Sequence, residues 1–276
     1  LLITLLILFT LQTFSQRNVY VCDRVFGTPN ALSSFVRNNN SNIFAVYVQG
    51  YSTPDDGGGG RFIWMPGSTI PAGTPLPSGG SVFVPAASGS ATGYWKRQIT
   101  DNTINVLWFG VKTSATAPAV GSAIRIANST GIANAITTAE FLHGNPDYPY
   151  RNAYKVYVPG NRYAYYLNST LLLNKSIEFF GDNSYYSNQT ILRVPVNTTG
   201  ISITSSQSNT RQVYLHDLKI VSGDLTDNSV YEPESSTIHG IDISTVVHIN
   251  NVSVYGFPGD GFHLYGDLIV NSSNVS

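Results

Sequence analysis

The chain is 276 residues long, with 15 basic and 16 acidic side chains; only 11% of it is charged, so its polarity lies in abundant Asn, Ser and Thr. No nucleic-acid partner is expected, because binding a phosphate backbone needs clustered Lys and Arg and the densest basic spot is the pair Lys96 and Arg97. A 42% hydrophobic and 12% aromatic composition excludes wholesale disorder.

Residues 1–16 open with an apolar run too short to span a bilayer as a helix, which takes about 20 residues. The run reads as the core of a secretory signal peptide, with the small residue Ser15 near the cut, and implies a secreted, cell-surface or periplasmic location with no membrane span in the mature chain. Cys22 is the only cysteine, so no disulfide framework is expected.

Residues 17–104 form a second unit, with turn residues at short intervals between β-forming bursts such as IFAVYVQGY and RFIWM, the pattern of a small β-rich module. Its DDGGGG run, residues 55–60, leads into a strand and lacks the Gly-Lys-Ser/Thr ending of a phosphate loop. It is therefore expected to be a structural turn. One helical pattern follows, with Ile132, Ala135, Ile136 and Ala139 on one face, Ser129 or Thr130 as cap and Gly144 and Pro146 as stop. It predicts an amphipathic helix of about twelve residues.

From Lys155 the pattern becomes a series of short β-runs that repeat. VYLHDLKI, starting at Val213, aligns with VHINNVSV, starting at Val247, and a looser copy starts at Leu268. A second ladder runs through Gly240-Ile-Asp-Ile and Gly261-Phe-His-Leu. Two ladders, each with a repeat near 21 residues and no helix between strands, predict stacked parallel rungs. Alternation along the strands places Val156, Ile177, Leu215, Leu218, Ile220, Ile241, Ile249, Val252 and Val254 inside. Asn250 and Asn251 fall at a corner, with Asn271 one rung on. The helix near Ile132 then covers the open end of the stack, as solenoids require.

Several segments carry a resemblance to a known family: GYSTPDDGGGGRFIW (residues 50–64), GYWKRQ (93–98), NVLWFGV (105–111), VYVPGNRY (156–163), TLLLNKSIEFFGDN (170–183) and TILRV (190–194). Together they resemble the pectate-lyase-like superfamily, in the branch of rhamnogalacturonases, polygalacturonases and phage tailspikes. The resemblance implies an all-β chain: a right-handed, single-stranded parallel β-helix over residues 105–276, with an N-terminal cap helix and the small module before it. The β-helix is expected to be truncated at Ser276, with more rungs and a closing or trimerising element beyond. Residues 112–130 lack the acidic turn that members of this family place before the cap helix.

The same resemblance implies a polysaccharide partner, cleaved by hydrolysis or β-elimination, with a homotrimer as the expected assembly. The rival expectation is a non-catalytic, tailspike-like or adhesin-like protein that binds glycans. Hydrolysis in this fold uses a pair of carboxyls a few ångströms apart and elimination a basic residue, and aligning the Gly ladders sets an acid beside an imidazole twice, Asp242 beside His263 and His239 beside Asp260. Asp260, Asp242, His263 and His239 are thus the candidate catalytic residues, and Tyr163, Tyr165 and Tyr265 the candidate sugar-stacking platforms. His216 and His248 take outward rung positions as surface or ladder residues. No His/Cys metal spacing occurs in the sequence, so no cofactor is expected, except calcium if the chain is a lyase.

Overall fold

The computed structural model describes residues 22–72, 74, 82–143, 154–174, 176–182, 188–204, 213–223, 237–265 and 270–275. The expected signal peptide, residues 1–16, lies outside them.

The β-rich bursts near the N-terminus form one five-stranded sheet. Its strands are β1 (Arg24–Phe26), β2 (Ala45–Val48), β3 (Gly60–Pro66), β4 (Phe83–Pro85) and β5 (Gly93–Arg97), in the order β1-β2-β3-β5-β4. Only β1 and β2 run parallel. Alternation buries Val46, Val48, Phe62, Trp64 and Trp95 on one face, and Trp64 meets its cross-strand partner Trp95 edge-on, with ring centroids 5.1 Å apart.

The DDGGGG run is a structural turn, as expected. The Asp56 carboxylate accepts hydrogen bonds from the backbone N–H groups of Tyr51, Ser52, Thr53 and Gly58, at 2.7–3.0 Å. Burial opposes its ionisation, but these four donors outweigh it and hold the carboxyl below its ordinary pKa. From the other side, Arg97 donates to the carbonyls of Gly58 and Gly59. Its guanidinium lies between the rings of Phe62 and Trp108, 4.6 and 4.5 Å from their centroids. Burial lowers its pKa to about 9, which leaves it cationic at neutral pH. Half of the basic pair noted in the sequence is therefore internal. Arg97→Ala is expected to destabilise the chain by about 3 kcal/mol, since it strips one buried and one part-buried carbonyl of a charged donor; an unchanged denaturation midpoint would contradict this.

Beyond the sheet, among the described residues, every pairing between strands from β6 (Thr103–Asn105) onward is parallel. One face stacks β6, β7 (Lys155–Tyr157), β10 (Ile177–Phe180), β13 (Val213–Ser222), β15 (Val247–Tyr255) and β17 (Val270–Val275). A second stacks β8 (Tyr165–Tyr166) and β11 (Ile191–Val194) on the latter half of β13. A third stacks β9 (Leu171–Leu173), β12 (Ile201–Ile203), β14 (Ile241–Ile243) and β16 (Phe262–Leu264). The chain visits the three faces in the same order on each circuit, so residues far apart in sequence meet in register.

The interior follows from that register. Val156, Phe179, Leu215 and Ile249 form one buried column, and Leu171, Ile201 and Ile241 another. All predicted interior residues are buried except Val254, which is half-buried, while its neighbour Ser253 is 1% exposed. The register partner of Val254, Ile220, stays buried after the equivalent corner. Asn251 and Asp217 both take positive φ, 52° and 58°, so the chain turns there, and Asn251 Nδ2 donates to Asp217 Oδ1 at 2.6 Å.

Two further expectations need correction. The last copy pairs Val247 with Val270, not with Leu268, so Asn271 lies opposite His248 and not at the corner. A slip of two residues preserves inside–outside alternation, so apolar pattern alone does not distinguish the registers. The cap helix runs over Ala123–His143, 21 residues, and begins well before Ser129. Its first turns are anchored by polar contacts that apolar periodicity misses. Arg125, fully buried, donates to the carbonyls of Pro118 and Leu167, and Asn128 to those of Lys112 and Tyr166. Ile132, Ala135, Ile136 and Ala139 are buried as predicted, in one cluster with Val156 and Phe179. Among the described residues no helix is long and apolar enough to cross a membrane.

Candidate functional site

The third face carries the predicted acid–imidazole residues. Ser202, Asp242 and His263 are register partners on β12, β14 and β16, and the inward neighbours Ile241 and Ile243 oblige Asp242 to point outward. Asp242 Oδ1 lies 3.0 Å from His263 Nδ1. Its other oxygen accepts a 2.6 Å hydrogen bond from the Tyr265 hydroxyl, and that bond raises the tyrosine pKa and keeps the phenol protonated.

His239 and Asp260 sit at the adjoining corner, each directly before a glycine of the ladder Gly240–Gly261. A side chain at Gly240 would collide with Val254 and with the Gly261 carbonyl, so the rungs approach closely only because glycine is there. The corner buries His239, whose Nδ1 accepts the Asp260 backbone N–H at 3.2 Å; the Asp260 carboxylate is 3.7 Å away. Both pairings read from the ladders are thus met in space. The alignments do not show that the two imidazoles also stack on each other, with centroids 3.9 Å apart and planes within 13°. One ligand atom each from His239, Asp242 and His263 lies within 4.8 Å of the others.

The tyrosines divide. Tyr265 and Tyr163 are exposed. Tyr165 is not available as a sugar platform: β8 turns it inward, it is 1% exposed, and its hydroxyl donates to the Pro159 carbonyl.

A second polar cluster was hidden in the sequence because its members lie on three different rungs. On the first face Lys155 donates to Glu178 at 2.9 Å, and His216 lies 3.3 Å from Glu178 and 2.7 Å from Asp217. Tyr157, Phe180 and His216 stack at 5.1 and 5.2 Å, and His248 stacks on Tyr214 at 4.5 Å. The outward rung position of His216 is the sign of this cluster in the sequence, and register with β10 supplies its partner Glu178. The His216 hydrogen bond, aided by Lys155, lowers the Glu178 pKa despite burial. The hydrogen bond to Glu178, aided by Asp217, raises that of His216. Glu178 therefore stabilises the fold above its ordinary 4.5, and loses that effect as pH falls through its lowered value. His216 stabilises the fold below its ordinary 6.5 and loses that effect as pH rises through its raised value. Thermal melts of the wild type and His216→Gln are expected to differ most between those limits, by at most about 1 kcal/mol. A difference that does not vary with pH would refute the assignment.

A cleft of about 410 Å³ opens between the long helix and β9, lined by Thr130, Ala133, Thr137, Glu140, Leu172 and Asn174 among others. It holds none of the predicted site residues.

No curated protein matches the chain. Among solved structures it is similar to the tailspike protein of Acinetobacter phage vB_ApiP_P1, at 14% identity and a TM-score of 0.44. That likeness covers 90% of this chain and 40% of the tailspike, so the chain spans well under half of that protein's length. Residues 30–101 match the family described as the phage tail protein small four-stranded beta-sheet domain, and strands β2, β3, β4 and β5 all lie within that span.

Proposed function

We propose that this chain is a stretch of a tailspike-like protein, displayed on a virion or otherwise outside the cell, that holds polysaccharide against the flank of a right-handed parallel β-helix of the pectate-lyase-like kind. The observation that carries the reading is the phage tail family match over residues 30–101, followed along the chain by three-faced parallel coils. Right-handedness is supported by the general preference of crossovers between parallel strands, about 98% of which are right-handed. A homotrimer is part of the proposal. The test is binding of the purified chain to a panel of capsular and plant polysaccharides, with its mass measured in solution. Saturable binding by a trimer supports the reading; no binding to any glycan overturns it.

A second reading, cleavage of the bound polysaccharide by hydrolysis or elimination, is favoured by the Asp242–His263–Tyr265 contact. A carboxylate on Nδ1 fixes the imidazole's tautomer and leaves Nε2 to exchange a proton with substrate or water. New reducing ends or unsaturated products would support it.

A further inference from the structure

We infer that His239, Asp242 and His263 form a binding site for a divalent first-row transition cation of the Zn²⁺ type. The site shares side chains with the cleavage reading but does not rest on it, because cation binding is measured without glycan.

The donor set decides the class of ion. Two imidazoles and one carboxylate suit Zn²⁺, Co²⁺ or Ni²⁺, whereas Ca²⁺ takes six to eight oxygen ligands. Bonds of about 2.0–2.2 Å to such an ion set ligand atoms about 3.3 Å apart in a tetrahedron. Asp242 Oδ1 and His263 Nδ1 are already 3.0 Å apart, and the whole set lies within 4.8 Å. Capture therefore needs a contraction of an ångström or so, made by the side chains that can move.

Those side chains are identifiable. His239 is buried in the corner, so it is the stationary ligand. His263, whose side chain is 33% exposed, must turn out of the ring stack, because the lone pair of each nitrogen lies in its ring plane and the two planes are nearly parallel. Ligation through Nε2 puts the His239 proton on Nδ1, which then donates to the Asp260 carboxylate, 3.7 Å away, in place of accepting the Asp260 amide. Three protein ligands leave a fourth position for water.

The experiment is titration of the full chain with ZnCl₂ by calorimetry and with Co²⁺ by visible absorption. One equivalent is expected to bind, with excess Ca²⁺ failing to compete. His263→Gln and Asp242→Asn should each weaken binding at least about 10-fold, and His216→Gln, in the other imidazole cluster, should leave it unchanged. X-ray absorption of the Zn²⁺-loaded wild type, which needs no variant, should read two imidazoles. Absence of saturable binding, binding indifferent to His263→Gln and Asp242→Asn, or a first shell without imidazole would overturn the site.

Discussion

On the proposed cleavage reading, Asp242→Asn is expected to lower turnover of a bound polysaccharide by two or more orders of magnitude, about 2.7 kcal/mol or more of transition-state stabilisation, while leaving glycan binding intact. The amide is nearly isosteric and still accepts the Tyr265 hydroxyl, so the outward ladder on β14 keeps its shape. It loses the negative charge opposite His263 Nδ1, 3.0 Å away, which orients the ring and stabilises the imidazolium formed during proton transfer. His263→Gln should match this loss, and the double variant should be little worse than either single one, because the two side chains act as one unit. Wild-type turnover in Asp242→Asn would sink the cleavage reading and leave the glycan-binding one standing. Sensitivity of the wild-type rate to a chelator then separates a cation at this site from acid–base chemistry by the imidazole alone.

Phe179→Ala is expected to cost about 3–5 kcal/mol, enough to unfold a marginal chain. Phe179 is fully buried, and its register partners Val156 and Leu215 stand on the rungs either side. In a stack stabilised by nearest neighbours, truncation at the middle of a column weakens two interfaces at once. Glu178→Ala, one residue away on the outward side, removes only part-exposed ion pairs and should cost about 1 kcal/mol or less. Urea denaturation of both variants checks the contrast; equal midpoints would mean that Phe179 does not face the core.

That contrast follows from two-residue alternation, which is local and so can be read from the chain. The same rule, applied to copies 34 and 21 residues apart, brought Val213 opposite Val247 and Asp242 opposite His263, as the register confirms. The interior columns, the outward position of the acid–imidazole pair and the apolar face of the cap helix were all legible in this way. The corner at Asn251 was legible too, but most other cross-rung contacts were not, because alternation fixes which face a side chain takes and not what the neighbouring rung brings to it. Nor was the pairing of Val247 with Val270, since a slip of two residues keeps the same faces inward. Tyr165 looks like its exposed neighbour Tyr163 in sequence, yet its pairing with Leu192 on β11 turns it inward. The stacking of His239 on His263 needs the close approach of rungs at Gly240. The early start of the cap helix rests on Arg125 and Asn128 finding carbonyls about 40 residues ahead. Such partners exist only once the coils have stacked, because a buried polar group is satisfied by whatever the fold brings to it, not by its neighbours in the chain.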